Sequence, residues 1–148
     1  MGLNSPRPDY NQLIKLLDAY QSAVNEAAIV SITDTDGKII YANKNFAAVS
    51  GYTVEELTGS THRIINSGHH TAHFFKDMWQ TIISGKSWRG QIKNKAKNGT
   101  CYWVDTVITP IRDDDGKVIQ YLSIGNIITA LKENEQALQQ AGNLLKRR

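Results

Sequence analysis

Ser87-Trp88-Arg89-Gly90-Gln91-Ile92-Lys93-Asn94-Lys95-Ala96-Lys97-Asn98-Gly99 alternates with a period of two. Arg89, Gln91, Lys93, Lys95 and Lys97 fall on one side, Trp88, Gly90, Ile92 and Ala96 on the other. That pattern is a half-buried β-strand with a solvated basic face and an apolar inner face. Asn94 breaks the inner face. A buried amide without a partner costs about 1–3 kcal/mol, so Asn94 has either a neighbouring backbone group or a ligand to bond. Asn98-Gly99 is a turn signal, and Thr100 to Ile111 forms the returning strand. The turn type sets what faces Asn94. A strict two-residue turn places Trp103 and Asp105 inward, whereas a bulge places Tyr102, Val104, Thr106 and Ile108 there. The bulge buries the more apolar set and is the preferred reading.

Working outward, the segment from Asp9 to about Asn25 carries Leu13, Leu16, Leu17, Tyr20 and Val24 at helical spacing. Ahead of it, Pro6 and Pro8 close an irregular start. Ala28 to Thr33 and Lys38 to Ala42 read as strands around the turn Asp36-Gly37. Asn45 to Ser50 is a short helix stopped by Gly51, and Thr53 with Glu56 forms a capping box for the next. Ser60 to His70 has no period and reads as loop. Thr71 caps a longer helix through Phe74, Phe75, Met78, Trp79, Ile82 and Ile83, which Gly85 closes. A third hairpin turns at Asp113-Asp114-Asp115-Gly116 into Lys117 to Asn126. From Thr129 onward the residues are strong helix formers, with Leu131, Leu138 and Leu145 seven apart. The fold class is α+β: a five-stranded antiparallel sheet with short helices on one face, plus N-terminal and C-terminal amphipathic helices. The expected divisions are 1–23 for the N-terminal cap helix, 24–128 for the central domain and 129–148 for the exit helix.

The composition, 41% hydrophobic and 21% charged, is that of a globular domain. No apolar run spans a bilayer and no signal-peptide pattern opens the chain, so membrane contact is not expected. The lone Cys101 excludes an internal disulfide framework and points to a reducing compartment, the cytoplasm. The net charge of +3 arises partly from the solvated lysine face and from Lys146-Arg147-Arg148, so no nucleic-acid partner is expected. A Gly-rich phosphate loop, a Ser-centred elbow and paired inward carboxylates are all missing, which argues against an enzyme.

The element order and motifs from about Val24 to Thr129 resemble a PAS domain. The matching pieces are Asp34-Thr35-Asp36-Gly37-Lys38-Ile39-Ile40-Tyr41-Ala42-Asn43, Phe46, Ser50-Gly51-Tyr52-Thr53 and Glu56-Leu57-Thr58-Gly59. The ending Ile124 to Thr129 resembles the family's Asp-Ile-Thr exit but has Asn126 near the usual Asp and an extra residue before the Thr. Met78 to Ile82, Gly85, Trp88, Gly90, Lys93-Asn94, Lys97-Asn98-Gly99 and Tyr102-Trp103-Val104 are similar to the FAD-binding PAS domains of bacterial aerotaxis receptors and of the nitrogen-fixation regulatory flavoprotein. By that resemblance Asn43, Phe75, Trp88 and Asn94 fall on cofactor-binding positions and FAD is the implied cofactor. The loop Asn66 to Thr71 departs from the aerotaxis pattern. The reactive-cysteine loop of photoactive relatives is absent, and Cys101 lies on a strand.

The resemblance implies a cytoplasmic sensor of redox state or oxygen. It would be a homodimer passing its signal through the C-terminal helix to an output domain such as a kinase, cyclase or chemotaxis module. The alternatives are a cofactor-free dimerisation and relay module, or a haem-binding gas sensor. His62, His69, His70 and His73 cluster around the loop, and His69 with His73 would make an i, i+4 metal pair only if the helix began early enough. The plain expectation is imidazoles on a solvated loop.

Overall fold

The computed structural model describes residues 9–147, so Pro6, Pro8 and the rest of 1–8 lie outside the described residues, as does Arg148. Helix α1 (Tyr10–Ala27) starts on a reciprocal capping box, with the Gln12 N–H donating to the Asp9 side chain at 2.7 Å. Strands β1 (Ile29–Thr33) and β2 (Ile39–Ala42) form a hairpin whose turn is held by Asp34, which accepts from the backbone N–H groups of Asp36 and Lys38. Helix α2 (Lys44–Ser50) ends on Gly51 in the left-handed region, φ 74°. Helix α3 (Val54–Leu57) carries the expected Thr53–Glu56 box. A short 3-10 turn (His62–Ile65) precedes helix α4 (Ala72–Ile83), which Thr71 caps. Strands β3 (Trp88–Lys95), β4 (Cys101–Arg112) and β5 (Val118–Ile127) follow, then helix α5 (Thr129–Lys146).

The five strands are ordered β2-β1-β5-β4-β3, every pair antiparallel, so β2 and β3 are the two edges. The β3–β4 turn carries the bulge. Ala96 N–H donates to Thr100 C=O (2.8 Å), Gly99 has φ 89°, and Asn94 lies opposite Tyr102, Ile92 opposite Val104, Gly90 opposite Thr106. Tyr102, Val104 and Thr106 are accordingly buried.

The inner sheet face meets the short helices in three apolar clusters. Ile39, Ala42, Phe46, Leu57 and Ile65 close one end, Ala96, Tyr102 and Val104 another, and Met78, Ile82, Trp88 and Tyr121 pack under α4. The Trp88 indole lies across Gly90, where a Cβ would collide with it. Helices α1 and α5 stand outside this core with no buried residue, and Leu17 and Tyr20 are 58% and 63% exposed. The exit joint is direct. Ile128 N–H donates to Trp103 C=O (2.9 Å) and Trp103 N–H donates to Thr129 Oγ1 (3.0 Å), so the start of α5 is hydrogen-bonded to β4. Lys132 then lies 4.6 Å over the Trp103 ring and donates to Gln91 Oε1, on the outer sheet face.

Candidate functional site

Trp88 and Asn94 point to the same side because three turns of period-two alternation separate them on β3. Phe74 meets Trp88 edge-to-face at 5.6 Å, and Phe75 meets Phe74 likewise at 5.2 Å. Phe75 and Asn94 are half-buried, while Trp88 belongs to the core. Trp88 and Asn94 therefore stand near the two ends of one face of β3, and Phe75 reaches the Trp88 end through Phe74. The Asn94 amide bonds no backbone group among the described residues. Its polar neighbour is the opposing Tyr102 phenol, pushed up to about 12 by burial, with the amide pulling weakly the other way. An amide in this position keeps donor and acceptor capacity for another molecule.

Asn43 has a different role. It follows β2, at the opposite edge of the sheet from β3. Its Oδ1 accepts from Val30 N–H and Phe46 N–H (3.1 Å each) and its Nδ2 donates to Ala28 C=O (2.9 Å). It caps α2 and ties that helix to β1, and its amide is fully engaged. The resemblance puts Asn43 on a cofactor-binding position, and the structure places it at the edge of the sheet away from β3.

His62, His69 and His73 are exposed and His70 is half-buried, as expected of a solvated loop, but two of the four make specific contacts. His62 stacks on Phe46 at 5.8 Å, and its Nε2 lies 3.3 Å from Ser31 Oγ on the inner face of β1. Burial pushes its pKa down to about 4, yet solvent still reaches much of its surface. His70 accepts a hydrogen bond from Lys93 N–H through Nε2 at 2.9 Å. Thr71 is the N-cap of α4, so His69 precedes the helix and does not pair with His73 on a helical face. No group of three or more metal-binding side chains occurs among the described residues. Ser67 also escaped the sequence reading: its hydroxyl donates to Lys93 C=O at 2.6 Å. No local pattern marks either contact, because Lys93 lies more than twenty residues away in sequence. Two solvent-open clefts of about 260 and 500 Å³ flank α2 and contain none of the four expected residues.

A family model described as PAS fold matches residues 39–125, more than half of the chain. The chain belongs to the PAS family. It is 33% identical over 117 residues to the nitrogen fixation regulatory protein of Klebsiella pneumoniae, covering 78% of this chain and 24% of that protein. It is 38% identical over 100 residues to the aerotaxis receptor of Escherichia coli (strain K12), covering 68% of this chain and 20% of the receptor. The chain thus spans a quarter or less of these relatives, one a regulator and one a receptor by name. This PAS domain is of the sensory, signalling kind. Among solved structures, an RNA-binding Light-Oxygen-Voltage receptor superposes with a TM-score of 0.77 at 22% identity, over 95% of this chain and 41% of that one. A Light-Oxygen-Voltage domain studied with a flavin analogue gives 0.68 at 23% identity, over 87% and 96% of the two chains. These two share the fold.

Proposed function

We propose that this PAS domain is the cytoplasmic sensory module of a longer signalling protein, holds FAD on the inner face of its sheet, and reports redox state or oxygen through α5. The observation that carries the reading is Asn94: a half-buried amide on the face of β3 that also carries Trp88, Gly90 and Ile92, and one that bonds no backbone group. A side-chain amide presents one donor and one acceptor edge, the complement of the C=O and N–H edge of an isoalloxazine ring. Phe75 and Trp88 supply flat apolar walls for such a ring. Asn43 contributes at a distance by fixing α2 against β1. When bound, the flavin supplies reversible reduction and reoxidation. The protein orients it and keeps it from bulk water.

The route to α5 is short. Lys93, next to Asn94, is paired with Trp103, and Trp103 holds Ile128 and Thr129 at the head of the exit helix. A change in how Asn94 is bonded shifts this pair of strands and with it the angle of α5. The uncovered apolar face of α1 supports assembly as a homodimer, and the small share of the relatives that this chain covers supports an output domain elsewhere in the longer protein. The visible spectrum of the purified protein tests the cofactor. The blue-absorbing band of oxidised flavin is expected; a Soret band or a colourless protein refutes FAD. Asn94→Ala should weaken flavin binding while the domain stays folded, and unchanged affinity would remove Asn94 from the site.

A further inference from the structure

The segment at 66–70 runs along the free edge of β3. Asn66 forms an antiparallel bridge with Asn94. An edge strand presents unpaired N–H and C=O groups. At Lys93 both are occupied by side chains of this segment: Ser67 Oγ donates to the C=O at 2.6 Å, and the N–H donates to His70 Nε2 at 2.9 Å. Lys93 is half-buried for this reason, although its side chain belongs to the solvated lysine face. The segment is itself braced. Asn66 Oδ1 accepts from Gly68 N–H, Ser67 Oγ accepts from His69 N–H, and the His70 ring lies flat on Phe74 at 4.1 Å and 16°. Ser67 and His70 stand in the loop where the chain departs from the aerotaxis pattern.

An imidazole nitrogen accepts a hydrogen bond only when it carries no proton, so the fastened state requires neutral His70 with its proton on Nδ1. The titratable groups around it are His69, with ring centroids 4.9 Å apart, His73 on α4, Lys93 on β3 and Lys132 of α5 across Trp103. Asp105, farther along β4, is paired with Arg89 at 2.7 Å. Burial and then His69 hold the His70 pKa below its ordinary value. The geometry and the surroundings favour the same neutral form.

We propose that Ser67 and His70 are positioning residues of the ligand site: by fastening the Lys93 backbone they hold the Asn94 amide in its ligand-binding orientation, and they release it when His70 is protonated. The positioning role rests on the reading that Asn94 holds FAD; the fastening does not. NMR of the full 148-residue chain tests the fastening without ligand. His70 Nε2 should be unprotonated at neutral pH. The protection factor of the Lys93 amide should fall about tenfold, the effect of one hydrogen bond, as His70 titrates. His70→Phe keeps the stack on Phe74 and should show low Lys93 protection at every pH. His70→Gln restores an acceptor that does not titrate, so protection should recover and lose its pH dependence. Added FAD should bind about tenfold more weakly to His70→Phe and to Ser67→Ala than to the wild type. A protonated Nε2 at neutral pH, or Lys93 protection unchanged in His70→Phe, overturns the fastening. Equal FAD affinity in wild type and His70→Phe overturns the positioning role. A wild type that binds no FAD overturns that role together with the reading beneath it, while the Lys93 result alone would then decide the pH-released fastening.

Discussion

Gly90→Ala should destabilise the domain through overpacking alone. Gly90 is not among the positive-φ glycines, so the strand backbone accepts an L-residue there without strain. The new methyl group would collide with Cη2 and Cζ2 of Trp88 and sit 3.1 Å from its Cζ3. The indole has nowhere to go, because it is packed with Met78, Ile82 and Tyr121 and edged by Phe74. Forcing a methyl into such a core costs about 1–3 kcal/mol, and the chain entropy gained by replacing glycine returns at most about 1 kcal/mol. A net loss of about 1–2 kcal/mol is expected, or roughly 3–10 °C in Tm. Urea unfolding should show a lower midpoint at unchanged m. The colliding atoms belong to the six-membered ring of the indole, so Trp88→Phe should relieve most of the penalty. The double mutant should be non-additive by about 0.5 kcal/mol or more. Gly142→Ala is the control: nothing lies within 4 Å of its Cβ, and it sits inside α5. That change should leave the core alone and stabilise the helix slightly, by about 0.5–1 kcal/mol. A Gly90→Ala protein as stable as the wild type, or one with the same penalty in the Trp88→Phe background, would refute the packing account.

Asn43→Ala strands the buried N–H groups of Val30 and Phe46 and should cost about 2–4 kcal/mol in urea unfolding; Asn43→Asp, which keeps the oxygen that accepts from both and loses only the donor to Ala28 C=O, should cost less. His62 has a folded pKa of about 4, below its ordinary value of 6.5, so the neutral ring contributes stability that is fully present above 6.5 and is lost as pH falls through 4. His62→Gln should flatten stability against pH across that window, and an unchanged slope would count against a lowered His62 pKa. Removing residues before Gln21 takes away Leu13, Leu16, Leu17 and Tyr20 of the exposed α1 face. Light scattering at micromolar concentration should then give a monomer from a dimer; a truncated protein that stays dimeric while loss of the segment after Ala130 gives monomer would move the interface to α5.

The elements of this domain were legible in the sequence because each rests on local signals. Thr53 and Thr71 announce helix starts by bonding backbone three residues on, and Gly51 and Gly99 sit where the backbone turns left-handed. The period-two pattern of β3, with the preference for burying Tyr102, Val104 and Thr106, was enough to choose the bulged register. What no pattern carries is the partner of a polar group. Asn43 and Asn94 are the same residue type, each at the margin of an apolar stretch, yet one amide is fully engaged by the backbone of Ala28, Val30 and Phe46 and the other is not. His62 finds Ser31 thirty-one residues earlier, and His70 finds Lys93 twenty-three residues later. Periodicity reports which face a residue occupies, because burial is a property of the chain's own spacing. Hydrogen bonds are short and directional, so who completes them is settled only when distant segments are brought within about 3 Å of one another. The sheet and its helices were determined by the chain locally, and the engagement of the Asn43 amide by the backbone of Ala28, Val30 and Phe46, while the Asn94 amide bonds no backbone group, was decided by tertiary packing.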